Sequence, residues 1–292
     1  FGDKVWFSPS NVKLGEISII NRGTLPPKDS EKSNIKNNYF NIRWFEDQIF
    51  RYRIEKSGKN KVFVNYESLR ENKNREIFNS KKLIARQLMS RQFRMNITYT
   101  EEDFAFKKNL YAIYNLDESY HYFYILGILN SKLFSFIQFN FNASLQRDDF
   151  PAFSLNDFRN FPIKRTAIDK QEWFINKIRL MLSLNEKIEK EKNLFFTTLK
   201  EQLNLNKINI KLSNFQSIDY STFRKELNKL NIIIPLGNEN DKWREYFNFI
   251  KQNVNKLIEE MFRTDKYIDN MVYELYGLTE EEIKIVEESI KD

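Results

Sequence analysis

The feature that most constrains this chain is a change of rhythm near Asp169. Beyond it, Phe174, Ile178, Met181, Ile188, Phe195 and Leu199 recur at 4-3 spacing, with Asn185 and Lys192 as polar interruptions of the same seam. Such a run predicts a helix of about eight turns packing on another helix, with intramolecular packing and a partner interface as the two uses of the seam. Trp243, Phe247, Ile250, Val254, Leu257 and Met261 define a second long amphipathic helix, and Tyr267–Tyr276 a short one ending at Gly277, a natural C-terminal cap. Thr279 with Glu282 three residues on is a capping-box pattern, which opens a last helix carrying Ile283, Val286 and Ile290. The polar stretch Asn204–Ser217 reads as a linker or an irregular excursion.

Residues 1–168 lack this rhythm. Val5–Phe7, Glu16–Ile20, Lys61–Tyr66, Leu83–Leu88 and Asn109–Tyr114 are short β-branched or aromatic runs between polar turns, and they read as strands. Gly23-Thr24-Leu25-Pro26-Pro27 is a rigid loop, because proline fixes its own φ and biases its predecessor toward extended geometry. Ser57-Gly58-Lys59-Asn60 is a turn. Tyr120–Phe141 is apolar on almost every face and predicts one buried helix, and Asn142–Arg165 a loop with Pro151 and Pro162. The expected fold is therefore α+β. A β-rich domain with a buried helix spans residues 1–168, and a mainly α-helical segment with long amphipathic helices spans 169–292.

Charge divides at the same place. Residues 1–168 hold 27 Lys/Arg against 18 Asp/Glu, whereas 169–292 hold 20 against 22. Within the first part, Arg43–Arg94 carries 14 basic and 6 acidic residues. A cationic excess confined to one segment points to a polyanionic partner, with lysine used merely for solubility as the alternative.

Catalytic chemistry is thin. With no Cys there is no disulfide framework, thiolate metal site or cysteine nucleophile, and the single His121 rules out a multi-His cage. Seven glycines form neither a dinucleotide fingerprint nor a P-loop. Glu71-Asn72-Lys73 and Glu282-Ile283-Lys284 match only the last three residues of a metal-dependent nuclease motif, and neither has a Pro-Asp partner. The acidic runs Glu101-Glu102-Asp103 and Glu280-Glu281-Glu282 read as a solvated turn and a helix start, Asp148-Asp149 as a solvated loop, and His121 as a packing residue. No secretory signal and no membrane-length apolar run is present, so the chain is expected in the cytoplasm. It begins at Phe1 rather than Met, as a piece of a longer polypeptide would.

Several strings, taken in order, resemble one family. They are Leu14-Gly15-Glu16-Ile17, Asn21-Arg22-Gly23-Thr24, Lys81-Lys82-Leu83-Ile84-Ala85-Arg86, Ile125-Leu126-Gly127-Ile128-Leu129-Asn130-Ser131-Lys132-Leu133, Phe161-Pro162-Ile163 and the tail Ile268–Ile283. Together they look like the C-terminal specificity, or target-recognition, domain of Taq-type N6-adenine DNA methyltransferases and of fused type II restriction-modification enzymes. Specificity subunits of type I restriction systems share much of the pattern. The resemblance implies sequence-specific recognition of double-stranded DNA. It also implies a methyltransferase domain, in the same chain or as a separate subunit, that uses S-adenosylmethionine and an Asn-Pro-Pro-Tyr/Phe motif. That motif is not in this segment: its Pro26-Pro27 follows Leu25. The parent chain would then be a site-specific adenine methyltransferase, with or without endonuclease activity. The alternative is a non-catalytic specificity or adaptor subunit that docks methyltransferase subunits through its helices.

In such a module cations hold phosphates and set register while a few side chains read base edges. The candidates are Arg51, Arg53, Lys59, Lys61, Lys81, Lys82, Arg86, Arg91 and Arg94 for the phosphates, with Arg86, Arg91 and Arg94 expected to project toward one groove. Arg22, Arg147 and Gln146 are the candidate base readers, since Arg pairs bidentately with guanine and Gln with adenine. Of the interleaved aromatics Tyr52, Phe93, Tyr99 and Phe106, most are expected in the core.

Overall fold

The computed structural model describes residues 5, 8–56, 60–71, 74–89, 94–141, 152–205 and 207–290. The chain is α+β and forms two compact units, one of residues 1–179 with 266–292 and one of residues 180–265.

The first unit is built on short strands: β1 (Asn11–Lys13), β2 (Ile19–Arg22), β3 (Lys32–Ser33), β4 (Ile42–Trp44), β5 (Gln48–Phe50), β6 (Arg53–Glu55), β7 (Val62–Val64), β8 (Lys82–Arg86), β9 (Ile97–Thr100), β10 (Leu110–Tyr114) and β11 (Pro162–Lys164). Its centre is an antiparallel sheet in the order β2-β10-β8-β9. Registers Ala85↔Tyr111↔Arg22 and Arg86↔Leu110 fix which side chains share a face, because residues directly opposite one another point the same way. Ile84, Leu110, Ala112 and Tyr114 face a core with Ile42, Trp44, Phe45, Val64, Phe78, Phe104 and Phe106. The opposite face is covered by helices: the Tyr111 ring lies 5.1 Å from Phe158, and Tyr99 lies 5.1 Å from Phe123. A sheet covered on both sides reads as continuous apolar runs, which is why β8 and β10 show no alternation in sequence.

Four expectations are corrected here. Glu16–Ile20 is not one strand: a helical turn, α1 (Leu14–Ile17), precedes β2, with the Lys13 N–H donating to Glu16 at 3.1 Å. A second short helix, α2 (Glu76–Asn79), precedes β8, and β8 itself begins at Lys82 rather than Leu83. Tyr120–Phe141 is two helices, α3 (Tyr122–Asn130) and α4 (Lys132–Phe141). The chain turns at Ser131, whose hydroxyl donates to Ile128 O at 2.7 Å and accepts the Phe134 N–H at 3.3 Å, so both helix ends are capped. His121 packs against Phe123 as expected, and its Nδ1 also accepts the Phe123 N–H at 3.0 Å as the N-cap of α3. The fourth correction concerns the helices beyond Asp169. After α5 (Leu155–Arg159) come α6 (Glu172–Leu203, 32 residues), α7 (Ile210–Ser213), α8 (Tyr220–Asn228), α9 (Asn238–Tyr276, 39 residues) and α10 (Glu280–Ser289). The expected short helix Tyr267–Tyr276 is the end of α9, since Phe262–Lys266 contains no breaker. Gly277 closes α9 with φ +65°, and the Thr279–Glu282 capping box opens α10.

In the second unit the seam residues Ile188, Phe195 and Leu199 of α6 share one core with Phe215, Phe223, Leu227, Phe247, Ile250 and Val254. Rings cluster tightly there: Phe195 to Phe215 is 4.3 Å and Phe223 to Phe247 is 4.7 Å. The seam thus packs within the chain. No helix of the described residues is long and apolar enough to cross a membrane.

Candidate nucleic-acid interface

On the β-rich unit, a cleft of 980 Å³ opens between the β3-β7-β4 sheet and the residues that follow β9. Lys36, Arg43, Lys56, Lys61 and Arg75 line it, against Asp47, Glu102 and Asp103. The carboxylates sit on one side of this charge balance. Arg43 pairs with Asp47 and, at 2.6 Å, with Glu102, which also takes Lys56 at 3.1 Å. Burial alone would raise the Glu102 carboxyl, but hydrogen bonds and charge from Lys56 and Arg43 hold it below the usual carboxylate range. Glu101, Glu102 and Asp103 are all exposed, as expected of a solvated turn, and within it Glu102 also anchors Arg43 and Lys56. Lys36, Lys61 and Arg75 make no ion pair with a described residue, and all three are exposed, so they present uncompensated charge. The Arg75 guanidinium is steadied over the Tyr66 ring at 4.7 Å.

The sequence-derived candidates distribute unevenly. Lys61 lines the cleft. Arg51 is the first residue of the two-residue turn of the β5–β6 hairpin and Arg53 the first of β6, both half-buried, with guanidinium groups over Tyr52 and Phe50 at 5.4 and 4.7 Å. Tyr52 holds φ +59° in that turn, a conformation an L residue seldom adopts, and its N–H donates to Ile97 O at 3.0 Å. Lys81 is exposed at the far end of β8 from Arg86, its ammonium 5.7 Å from the Tyr122 ring.

Two candidates are interior and cannot reach phosphates. Lys82 is fully buried, its ammonium donating to Phe78 O at 2.9 Å, Ser80 O at 2.9 Å and Glu102 O at 3.0 Å. Burial lowers its pKa to about 8, although the charges of Asp103 and Glu102 pull the other way. Arg94 is 3% exposed, donates to Asn130 O at 2.9 Å and lies 3.8 Å from the Asp269 carboxylate. Register separates two more: Arg22 shares a face with Tyr111, Arg86 with Leu110, so they project to opposite sides of one sheet end. Arg86 instead joins Gln48, Lys107 and Asn109 around a cavity of 210 Å³ that shares Asp47 with the cleft. Lys59, Arg91, Gln146 and Arg147 lie outside the described residues, as do Phe93, Asp148 and Asp149. Tyr99 and Phe106 are in packed surroundings, as expected.

Sequence reasoning missed Lys36, Arg43, Lys56, Arg75, Gln48 and Asn109. Arg43, Lys56 and Arg75 belong to the basic stretch and could have been found by taking all its cations alike. Lys36 lies outside it, and only the pairing of β3 and β4 with β7 brings its loop to the cleft. The separate loop after β2, Gly23–Pro27, closes against the residues before β10 at Gly23, where an added Cβ would sit 2.1 Å from Phe106 O, so backbone approach there requires glycine. Among the described residues no group of three or more His, Asp or Glu side chains is placed to hold a metal ion.

Comparisons with known proteins fall on the same region. Residues 45–163 match the TaqI-like C-terminal specificity domain, and residues 167–272 match a domain of unknown function, DUF8810. Over 176 residues, 59% of this chain, the sequence is 29% identical to a Methanocaldococcus jannaschii protein named as a type II restriction enzyme and methyltransferase. That alignment spans 15% of the relative's length. Among solved structures, a chain from a type I R-M system studied for complex assembly and conformational transition aligns with TM-score 0.39 and 11% identity, covering 88% of this chain and 47% of that one. The HsdS subunit from Thermoanaerobacter tengcongensis aligns with TM-score 0.38 and 12% identity, covering 90% and 49%. The chain contains a TaqI-like specificity domain.

Proposed function

We propose that this chain, as the bearer of a TaqI-like C-terminal specificity domain over residues 45–163, recognises double-stranded DNA sequence-specifically. It would do so as the specificity part of an adenine-N6 DNA methyltransferase or a fused restriction-modification enzyme. One observation carries the reading: the cleft whose Lys36, Lys61 and Arg75 are exposed and without ion pairs is lined largely by residues of that matched span. Exposed cations around a concave surface hold phosphates and fix register, while neighbouring Arg86, Gln48 and Asn109 carry the donor and acceptor pairs suited to base edges. In this reading the unit of residues 1–179 with 266–292 recognises DNA and residues 180–265 act as a spacer or docking segment.

Methyl transfer is assigned to a methyltransferase domain, in the same chain or a separate subunit, that binds S-adenosylmethionine in the cytoplasm. The residues present do not fit that cofactor. The described glycines, at positions 15, 23, 127, 237 and 277, stand singly, and none opens a phosphate- or nucleoside-cradling loop.

Duplex binding across a salt series tests the reading. We expect measurable affinity at low ionic strength that falls linearly on a log–log plot as salt rises. The competing reading is an adaptor whose helices dock methyltransferase subunits. It would prevail if the chain bound no duplex at low salt yet captured a methyltransferase subunit. Burial of Ile188, Phe195 and Leu199 in the chain's own core weighs against the seam as that docking surface.

A further inference from the structure

The loop joining β3 to β4, residues 34–41, exposes two large apolar side chains, Ile35 at 73% and Tyr39 at 60%. Between them stands Lys36, and Lys36 and Asn41 both line the cationic cleft. The loop is held in shape by its own polar groups. Asn37 Oδ1 accepts the N–H of Tyr39 at 2.9 Å and of Phe40 at 2.7 Å, and the Asn37 N–H donates to Phe40 O at 3.1 Å. Ser33 Oγ accepts the Ile35 N–H and donates to its carbonyl, both at 3.0 Å. The Phe40 ring braces Tyr39 edge-on at 5.0 Å.

None of this needs Ile35 or Tyr39 for folding, since neither side chain is buried. A fixed loop that holds an aromatic ring and a branched aliphatic in water, beside unpaired cations, is preorganised to meet a surface that is apolar inside and anionic outside. Stacked base pairs between two phosphate backbones are such a surface. We infer that Tyr39, with Ile35 of the same loop, is an apolar wedge that packs against a base step of bound duplex while Lys36, Lys61 and Arg75 hold the flanking phosphates. The wedge loosens stacking at that step, as inserted apolar side chains do, and the ring replaces part of the lost base contact. This rests on the reading of the chain as a duplex-DNA binder.

The test uses the full chain and duplexes that it enriches from a random pool, with 2-aminopurine substituted at successive positions. Binding by the wild type is expected to raise fluorescence at one base step. Tyr39→Ala should abolish that rise and weaken binding at least about fivefold, with an unchanged salt slope because no charge is removed. Tyr39→Phe should retain both signals. Lys61→Gln should flatten the salt slope and keep the fluorescence rise. Unchanged fluorescence on wild-type binding, or Tyr39→Ala binding within twofold of the wild type, would overturn the wedge and leave DNA recognition standing. Failure to enrich any duplex would overturn both.

Discussion

Asp269 caps the N-terminus of α4: its Oδ1 accepts the backbone N–H of Lys132 at 2.8 Å, across 137 residues of sequence. The same carboxylate, 2% exposed, lies 3.8 Å from buried Arg94. Around it, the Lys132 ammonium reaches Glu287 at 2.8 Å and the Tyr273 hydroxyl donates to Glu287 at 2.7 Å. The end of α9 and α10 are thus fastened to the β-rich unit by charge as well as by packing.

Asp269→Ala should destabilise the β-rich unit by about 3–5 kcal/mol, because it strips a carboxylate from beside a buried guanidinium and uncaps α4. Urea unfolding would measure this, and a midpoint like that of the wild type would refute the role of the pair.

Lys82 makes stability depend on pH in a defined window. Its pKa is about 8 in the folded chain against 10.5 for an ordinary lysine, so between those values the unfolded chain holds more protons. Stability from this group therefore rises with pH from about 8 upward. Tyrosines raised by burial, such as Tyr111 and Tyr114, act oppositely above pH 10, where their unfolded forms ionise. The difference in unfolding free energy between wild type and Lys82→Met isolates the lysine. It should shift by roughly 2 kcal/mol in favour of the wild type between pH 8 and 10. A flat difference would contradict the assignment.

Lys61→Gln and Arg75→Gln should each weaken duplex binding and reduce the salt slope by about 0.9, the loss of one phosphate contact. Lys81→Gln, at the far end of β8, should leave the slope unchanged. Equal slopes for all three variants would remove the cleft from the interface.

Gly23→Ala should cost more than about 2 kcal/mol, because its Cβ would meet two backbone carbonyls that cannot swing aside. Thr279→Ala, which removes half of a capping box, should cost only about 1 kcal/mol. Thermal unfolding of the pair would check the ranking.

Much of the helical architecture was legible because periodicity is local. The seam from Phe174 to Leu199 is buried as its spacing demands, and Gly277 and Thr279 cap where their chemistry predicts. What escaped depended on distant partners. Nothing near Ser131 announces a break, since part of its capping comes from Asp269. Which of two adjacent lysines is buried was settled by the register that puts Lys82 opposite Tyr114. Arg94 looked like a surface cation because the carboxylate beside it lies far along the chain. Helix α8 buries only two apolar side chains, Phe223 and Leu227, with the polar Glu226 between them, too few to stand out from a polar stretch. The cleft was foreshadowed by the charge of Arg43–Arg94, but Lys36 and Asn41 join it through strand pairing that composition does not encode.

The compact β-rich unit takes in both residues 1–179 and residues 266–292. Residues 180–265 are therefore an insertion in its sequence, entered along α6 and left along α9. A deletion from Asp169 onward would not trim a dispensable handle. It would remove Asp269, along with Tyr276, whose hydroxyl bonds to Pro162 O at 2.8 Å and caps the end of β1's partner strand. A minimal version of the β-rich unit should instead excise the insertion and splice the two helices with a short linker, leaving the last 27 residues in place.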